Sequence, residues 1–364
     1  MKRQPQLSLS VGKERTKVKP AKADPAEIDW EKGEHEGFVS IANHSLFLSV
    51  YGPNRRYNSP IVIVLPDAGC SCRQWTAVRK LIQRTTRVLL YDRSGYGDSE
   101  EMSNPTTPTA ENLALELDSL LAGAEIRPPY ILVCHSYGGI IAREFLHLKR
   151  FKGELCNVIG IVFVEGDHEN TPALARHPGL QALTKGHEDL LEIAETDDVV
   201  LDKEDYEALV EESQSSKLHE MADAEFSQIE ESCLELGKKN QLEADPPILG
   251  SYPVSVLKGD AARSHEILYE LAIKEGRGAS MAPQAEWKRV IADFRELDEF
   301  LQTENLKLST KHSYSIARRG GHNIHLTEPK AILRENVFGL CSFLACTFFS
   351  SRSKRPQNDR VQFN

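Results

Sequence analysis

A serine sits where an apolar, strand-like run turns into a helix-like segment. The run Tyr130–Cys134 is followed by Ser136, two glycines and an apolar stretch, within the sequence VCHSYGG at 133–139. A sharp strand-to-helix turn of this kind, a nucleophile elbow, exposes a serine hydroxyl at the edge of a sheet. The free N–H groups of the following helix would stabilise negative charge there. Ser136 is therefore the candidate nucleophile, and an ordinary serine in a strand–helix turn is the alternative interpretation.

A serine hydroxyl is a weak nucleophile at neutral pH and needs a base that an acid orients. His322 is the candidate base because it follows the last predicted strand, and the glycine pair at 320–321 lets its loop place the imidazole above the sheet edge. His325, three residues further on, is interpreted as a packing residue near the site.

Three acidic residues are candidates for the acid. Glu165 directly follows the apolar run at 158–164, where an unpaired carboxylate is costly to bury without a hydrogen-bonded partner. Asp260 follows a later predicted strand, in the sequence GDAA at 259–262, and Asp167 lies two residues after Glu165. Glu165 is the preferred candidate, with Asp260 second and Asp167 third.

A sheet is needed to bring these residues together. The predicted strands are an opening hairpin followed by six nearly continuous apolar runs, the pattern of strands buried on both faces. They lie at 38–41, 46–51, 61–65, 88–91, 130–134, 158–164, 253–257 and 314–317. Helix-like segments alternate with the strands, and one of them begins after Thr109 with an apolar stripe of Leu113, Leu117, Leu120 and Leu121. The predicted fold is α/β, a mostly parallel central sheet with helices on both faces.

The strand pattern also predicts the organisation of the chain. Residues 31–168 and 251–350 form two parts of one core, and residues 169–250 form a helical, acidic insertion without strand-like runs. Ligands bind at the carboxyl ends of strands in such sheets, so the insertion is predicted to cover a pocket as a lid. The polar tails at 1–30 and 351–364 have no periodicity and are predicted to be disordered.

Three motifs, in this chain order, resemble the α/β-hydrolase superfamily. They are YDRSGYGDS at 91–99, HSYGG at 135–139 and GHNIHLTEP at 321–329, and the resemblance covers about residues 37–345. It implies that Ser136 is the nucleophile and His322 the general base, in the family's chain order of serine, acid and histidine. A subgroup of the family carries its acid where Glu165 stands. Many other members carry it in a Gly-x-x-Asp sequence, where this chain has Ala262.

The resemblance also implies two N–H donors for the oxyanion that forms during acyl transfer. One is the N–H of Tyr137, the residue after the nucleophile, and the other is that of Ala68, in the loop after the strand at 61–65. Pro66 and Asp67 replace the family's His-Gly pair in this loop, and Cys134 stands where the elbow usually has glycine.

A serine hydrolase is the function that the resemblance implies. It would cleave a carboxylic ester, lactone or thioester of a small organic molecule through an acyl-enzyme on Ser136, without a cofactor. Serine at 136 argues against epoxide hydrolases and haloalkane dehalogenases, which need aspartate there. Acyltransferases, cyclases and C–C hydrolases also use serine, and similarity to microbial and fungal natural-product hydrolases suggests secondary metabolism. A non-catalytic ligand-binding protein is the alternative from another class, and a scaffold acting through the acidic insertion is a third.

Composition excludes several other classes. The 364 residues are 40% hydrophobic and 27% charged, as in a soluble globular protein. Residues 188–245 carry 20 acidic and 4 basic side chains, so nucleic acid is not an expected partner. The seven cysteines lack the paired spacing of zinc sites. The N-terminus has no apolar core, and the longest apolar stretch, at 338–349, is shorter than the ~20 residues that span a bilayer. We expect a cytoplasmic protein without a membrane span; its oligomeric state stays open.

Overall fold

The computed structural model describes residues 28–102, 106–176, 178–184, 199–277 and 282–333. The apolar stretch at 338–349, the predicted tail at 351–364 and residues 1–27 of the other predicted tail lie outside these ranges.

Eight strands form a single sheet, and each overlaps a strand predicted from the sequence. They are His35–Ile41 (β1), His44–Tyr51 (β2), Ile61–Leu65 (β3), Arg87–Tyr91 (β4), Tyr130–His135 (β5), Val158–Val164 (β6), Val254–Lys258 (β7) and His312–Ile316 (β8). Their order across the sheet is β1-β2-β4-β3-β5-β6-β7-β8. β2 pairs with β1 and β4 in antiparallel fashion, and the other neighbours are parallel. The predicted fold class is confirmed.

Helices follow most strands. Those described are Thr76–Ile82 (α1), Ala110–Gly123 (α2), Gly138–Phe151 (α3), Pro172–Ala175 (α4), Pro178–Thr184 (α5), Lys203–Ser213 (α6), Ser216–Phe226 (α7), Ile229–Gly237 (α8), Ala262–Lys274 (α9), Gln284–Glu304 (α10), Ile324–Thr327 (α11) and Pro329–Ile332 (α12). α2 starts as predicted, because the Thr109 side chain accepts a hydrogen bond from the Asn112 N–H and caps the first turn.

Continuous apolar runs form the central strands because both faces of the sheet are covered. All five residues of β3 are buried. Ile61 and Ile63 join the core under α2 and α3, whereas Val62 and Val64 join the core under α1 and α12. Because β3, β5, β6 and β7 pair in parallel, their carboxyl ends lie at one edge of the sheet, which positions the loops that follow them.

The described chain between β6 and β7 consists of short helices joined by turns and loops. It contributes α4 to α8 and no strand among its described residues. None of the described helices combines the length and the apolar character needed to cross a membrane.

Candidate active site

Ser136 occupies a sharp turn between β5 and α3. Its φ angle is 49°, in the left-handed region that non-glycine residues seldom adopt and that is often found at functional sites. Its N–H donates to the Glu165 carbonyl at 3.1 Å, and its carbonyl accepts from the Asp167 N–H at 3.0 Å. Glu165 also has a positive φ, of 48°. The backbone therefore ties the serine turn directly to the segment that carries Glu165.

Small residues on both sides of Ser136 let neighbouring backbone approach the turn. A Cβ atom on Gly138 would lie 2.2 Å from the Leu65 carbonyl oxygen, so no larger residue fits there without displacement. Cys134 is fully buried, and its thiol donates to the Val162 carbonyl at 3.3 Å. A cysteine is thus accommodated at the position where the family usually has glycine.

His322 lies between two carboxylates. Its Nδ1 is 3.5 Å from Oε2 of Glu165, and its Nε2 is 3.4 Å from Oδ2 of Asp67. Burial alone would lower the pKa of His322, but the hydrogen bonds and negative charges of Asp67 and Glu165 outweigh it and raise that pKa well above its ordinary value. The imidazolium form is the one that this arrangement stabilises.

Glu165 is held on the side of His322 that faces away from Asp67. Its buried carboxylate accepts a hydrogen bond from the Gly259 N–H and lies 4.0 Å from the Lys258 ammonium, which itself pairs with Asp298. Burial raises the pKa of Glu165, but the His322 hydrogen bond and the Lys258 charge together lower it below its ordinary value. A charged Glu165 with these fixed partners can hold the imidazole in one orientation.

The other two candidate acids lie elsewhere in the site. Asp260 forms a bidentate ion pair with Arg295, at 2.9 and 2.7 Å, and has no described contact with His322. Asp167 lines the same cavity as Ser136. Burial, reinforced by the charge of Asp67, raises the pKa of Asp167 to about 8. The structure therefore places Glu165 against the imidazole, and not Asp260.

The N–H groups of Ala68 and Tyr137 converge on one oxygen atom. Both donate to Oδ1 of Asp67, at 2.7 and 3.2 Å. The Ser136 hydroxyl also helps to lower the pKa of this carboxylate. Burial would raise the pKa of Asp67, but the hydrogen bond and charge of His322 reverse the shift and lower that pKa to about 2. Sequence reasoning missed these contacts; its only hint was an acidic residue where the family has glycine.

A cavity of about 380 Å³ opens beside Ser136 and His322. Its acidic side is formed by Glu165, Asp167 and Asp298. Its apolar side is formed by Pro172, Leu174, Leu180, Ile229 and Phe294. The cavity thus combines a polar end at the candidate catalytic residues with an apolar wall, as small-molecule sites commonly do.

Two further histidines pack behind the site. The buried His325 stacks on Trp75, with ring centroids 4.9 Å apart, and its Nε2 is 3.2 Å from the Gln74 side-chain oxygen. His135 lies 4.7 Å from His322 between ring centroids, and burial lowers the pKa of His135 to about 4. These contacts agree with the packing role predicted for His325.

One group of described residues could hold a metal ion. The ligand atoms of Asp67, His135 and His322 all lie within 4.8 Å of one another. The Asp67 carboxylate, however, already accepts two N–H groups and faces His322, and His135 Nε2 lies 3.1 Å from the His322 carbonyl oxygen. These contacts already engage the three side chains with one another and with backbone groups.

The sequence profile of the alpha/beta hydrolase family matches residues 62–335. An AB hydrolase superfamily protein from Gibberella zeae is 31% identical over 297 residues, which cover 80% of this chain and 89% of that protein. Similar solved structures include a thermophilic esterase from Thermogutta terrifontis, with 14% identity, a TM-score of 0.51 and coverage of 87% of this chain and 98% of that one. A haloalkane dehalogenase from Bradyrhizobium elkani has 16% identity, a TM-score of 0.52 and coverage of 87% and 100%. At these identities the two structures share the fold alone.

Proposed function

This chain belongs to the alpha/beta hydrolase family, and we propose that it is a serine hydrolase that cleaves a carboxylic ester, lactone or thioester of a small organic molecule. One observation carries the proposal. Ser136, His322 and Glu165 meet at a single cavity, and the N–H groups of Ala68 and Tyr137 point at one common position beside the serine. This is the set of groups that acyl transfer through serine requires.

In the proposed mechanism, Oγ of Ser136 attacks the acyl carbon while Nε2 of His322 takes the hydroxyl proton. The carbonyl π electrons move to the acyl oxygen, which the Ala68 and Tyr137 N–H groups then stabilise. Collapse of this intermediate breaks the bond to the leaving group, which receives the proton from His322. A water that gives a proton to His322 then attacks the acyl carbon, and the bond from this carbon to Oγ breaks as His322 returns the proton to Oγ, which releases the acid. Glu165 holds Nδ1 of the imidazole throughout, and no cofactor takes part.

The apolar wall of the cavity supports an acyl chain as the part of the substrate that it binds. Pro172, Leu174 and Leu180 contribute to this wall from the segment between β6 and β7, and Phe294 contributes from α10. We therefore assign the helical segment at 169–250 the role of a lid that forms part of the binding site. The volume lies within the range of small-molecule pockets.

A non-catalytic ligand-binding protein is the competing function. The Asp67 carboxylate favours it, because a negative charge between the Ala68 and Tyr137 N–H groups occupies the position that an oxyanion needs. The two functions differ in whether Ser136 reacts covalently.

The test is to label the purified chain with a fluorophosphonate and to measure hydrolysis of p-nitrophenyl esters of several chain lengths. We expect labelling and hydrolysis in the wild type, and loss of both in Ser136→Ala. His322→Ala should lower both by at least about 10³-fold because the base is removed. Absence of labelling in the wild type, or equal labelling of Ser136→Ala, would favour the ligand-binding protein.

A further inference from the structure

The Asp67 side chain lies in the position that the proposed mechanism reserves for the acyl oxygen. Its Oδ1 accepts both the Ala68 N–H, at 2.7 Å, and the Tyr137 N–H, at 3.2 Å. A substrate oxygen and this carboxylate oxygen cannot occupy the same place. The second oxygen, Oδ2, faces Nε2 of His322 at 3.4 Å, the nitrogen that must take the Ser136 proton.

The loop that carries Asp67 is held firmly in this arrangement. The Arg93 guanidinium donates to the carbonyls of Pro66, at 3.2 Å, and of Asp67, at 2.7 Å. Arg93 is itself paired with Glu225 of α7 through two hydrogen bonds of 2.7 and 2.9 Å, and Glu225 also accepts the Gly69 N–H at 3.0 Å. The backbone on both sides of Asp67 is therefore fixed, so the side chain alone can move without breaking the buried pair.

The apolar wall of the cavity supplies a reason for the side chain to move. An acyl chain that packs against Leu174, Leu180 and Phe294 brings its carbonyl toward Ser136, and the binding energy of that chain can be used to displace the carboxylate. A two-carbon acyl group lacks this binding energy and must compete with the carboxylate unaided.

We propose that Asp67 is a specificity-determining residue of this site. An acyl substrate reacts when the binding of its chain displaces the Asp67 carboxylate from the Ala68 and Tyr137 N–H groups, so esters of short acids are rejected. The inference rests on the proposed serine-hydrolase function. Displacement breaks no covalent bond: the two N–H groups exchange the carboxylate for the ester carbonyl oxygen, and loss of the facing charge lets His322 release its proton to solvent and act as base.

The experiment compares kcat/KM for p-nitrophenyl acetate and p-nitrophenyl octanoate in the wild type, Asp67→Ala and Asp67→Asn. In Asp67→Ala we expect kcat/KM for acetate to rise by at least about tenfold and that for octanoate to rise by about threefold or less. Asp67→Asn keeps the shape of the side chain without its charge, so its kcat/KM for acetate should lie between those of the wild type and Asp67→Ala. Asp98→Asn, which removes an exposed carboxylate on the turn after β4, is the matched control and should leave both values unchanged.

Two results would overturn the inference. In the first, the ratio of kcat/KM for octanoate to kcat/KM for acetate stays within about twofold of the wild-type ratio in both Asp67 variants. In the second, kcat/KM falls about tenfold for both esters in a variant that melts like the wild type. Either result leaves the proposed function standing, provided that a fluorophosphonate labels Ser136 of the wild type. Absence of Ser136-dependent labelling in the wild type and in both Asp67 variants would instead reject the serine-hydrolase function itself. Asp67→Asn keeps the test open if Asp67→Ala does not fold.

Discussion

His322 is positioned from two sides by carboxylates with different supports. Glu165 directly follows β6 and is held by Gly259 and by the buried Lys258, so its position is fixed by the sheet. Asp67 lies in a loop, and its side chain reaches His322 from the opposite direction. In the proposed mechanism the first contact orients the base, and the second must open before the base can act.

The roles of the two acids predict different effects of neutralising them. Glu165→Gln removes the charge that orients and stabilises the imidazolium, so we expect kcat for a p-nitrophenyl ester to fall by about 10³–10⁴-fold. Asp260→Asn changes a carboxylate that pairs with Arg295, and turnover should change by less than about threefold. Steady-state kinetics of the two variants, with melting curves to check folding, provide the measurement. A large loss in Asp260→Asn with little loss in Glu165→Gln would assign the acid to Asp260.

Sequence reasoning could propose the candidate residues of the site but not the contacts among the acidic groups. Ser136 and His322 stand out because short motifs surround them, and Glu165 because it closes an apolar strand. Asp260 forms an ion pair with Arg295, which lies 35 residues away on another element. The contact between Asp67 and His322 joins residues 255 positions apart. Neither contact leaves a local pattern, since each depends on how whole loops are placed.

α7 is joined to the turn after β4, which carries Arg93, by an ion pair that is almost completely buried. The side chains of Arg93 and Glu225 are 2% and 1% exposed. Because the Gly69 N–H also donates to Glu225, one residue of the helix links two parts of the loop that presents the Ala68 N–H. α7 and the loop after β3 are therefore coupled by a buried charge and by hydrogen bonds.

Breaking this pair should destabilise the fold strongly. Glu225→Gln leaves the Arg93 guanidinium buried without its counter-charge, so we expect the free energy of unfolding to fall by about 3–5 kcal/mol. The control is Glu230→Gln on neighbouring α8, where the pair with Arg176 is 59% and 58% exposed and the loss should stay below about 1 kcal/mol. Urea unfolding of both variants measures the difference. Equal losses would mean that the buried pair does not anchor α7.

The sequence predicts the central strands but not the ion pair between Arg93 and Glu225. The central parallel strands β3, β5 and β6 are apolar runs because both of their faces are buried. The edge strand β8 has the sequence HSYSI and is exposed or half-buried along its length, so the apolar run predicted at 314–317 is not a strand buried on both faces. The helices of the insertion are partly exposed to solvent, so they have few apolar positions. The spacing of these positions predicts a helix but does not predict which element the helix packs against. That Glu225 alone among many acidic residues of α6 to α8 is buried against Arg93 follows from tertiary packing.

Across the whole molecule, buried ionisable groups of opposite kinds determine how stability depends on pH. Burial raises the pKa of Asp167 to about 8 and that of Glu116 to about 7, and it lowers the pKa of His135 and of His168 to about 4. In each case the folded chain favours the neutral form. His322 differs from these four groups, because its two carboxylate partners outweigh burial, raise its pKa and favour the charged form.

The sign of each contribution follows from which state binds more protons. The unfolded chain binds more protons at His135 and His168 between about pH 4 and 6.5, so there they favour higher stability at higher pH. The folded chain binds more protons at Glu116 and Asp167, from their ordinary pKa values up to about pH 7 and 8, so they act in the opposite direction. Above pH 6.5 only the carboxyl groups of Glu116 and Asp167 continue to contribute, and they favour lower stability at higher pH. His322 acts in the same direction, because its pKa is raised in the folded chain.

We therefore expect the free energy of unfolding to fall as the pH rises from about 6.5 to about 8, with a weaker dependence below about pH 6.5, where the two effects oppose each other. Urea unfolding midpoints at pH 5.5, 6.5 and 8 measure this dependence. Asp167→Asn has no carboxyl group to ionise at this position, so its midpoint should fall less between pH 6.5 and 8 than that of the wild type, whereas the exposed substitution Asp98→Asn should keep the full fall. A midpoint that rises from pH 6.5 to 8, or an unchanged fall in Asp167→Asn, would show that Asp167 is already ionised in the folded chain at neutral pH.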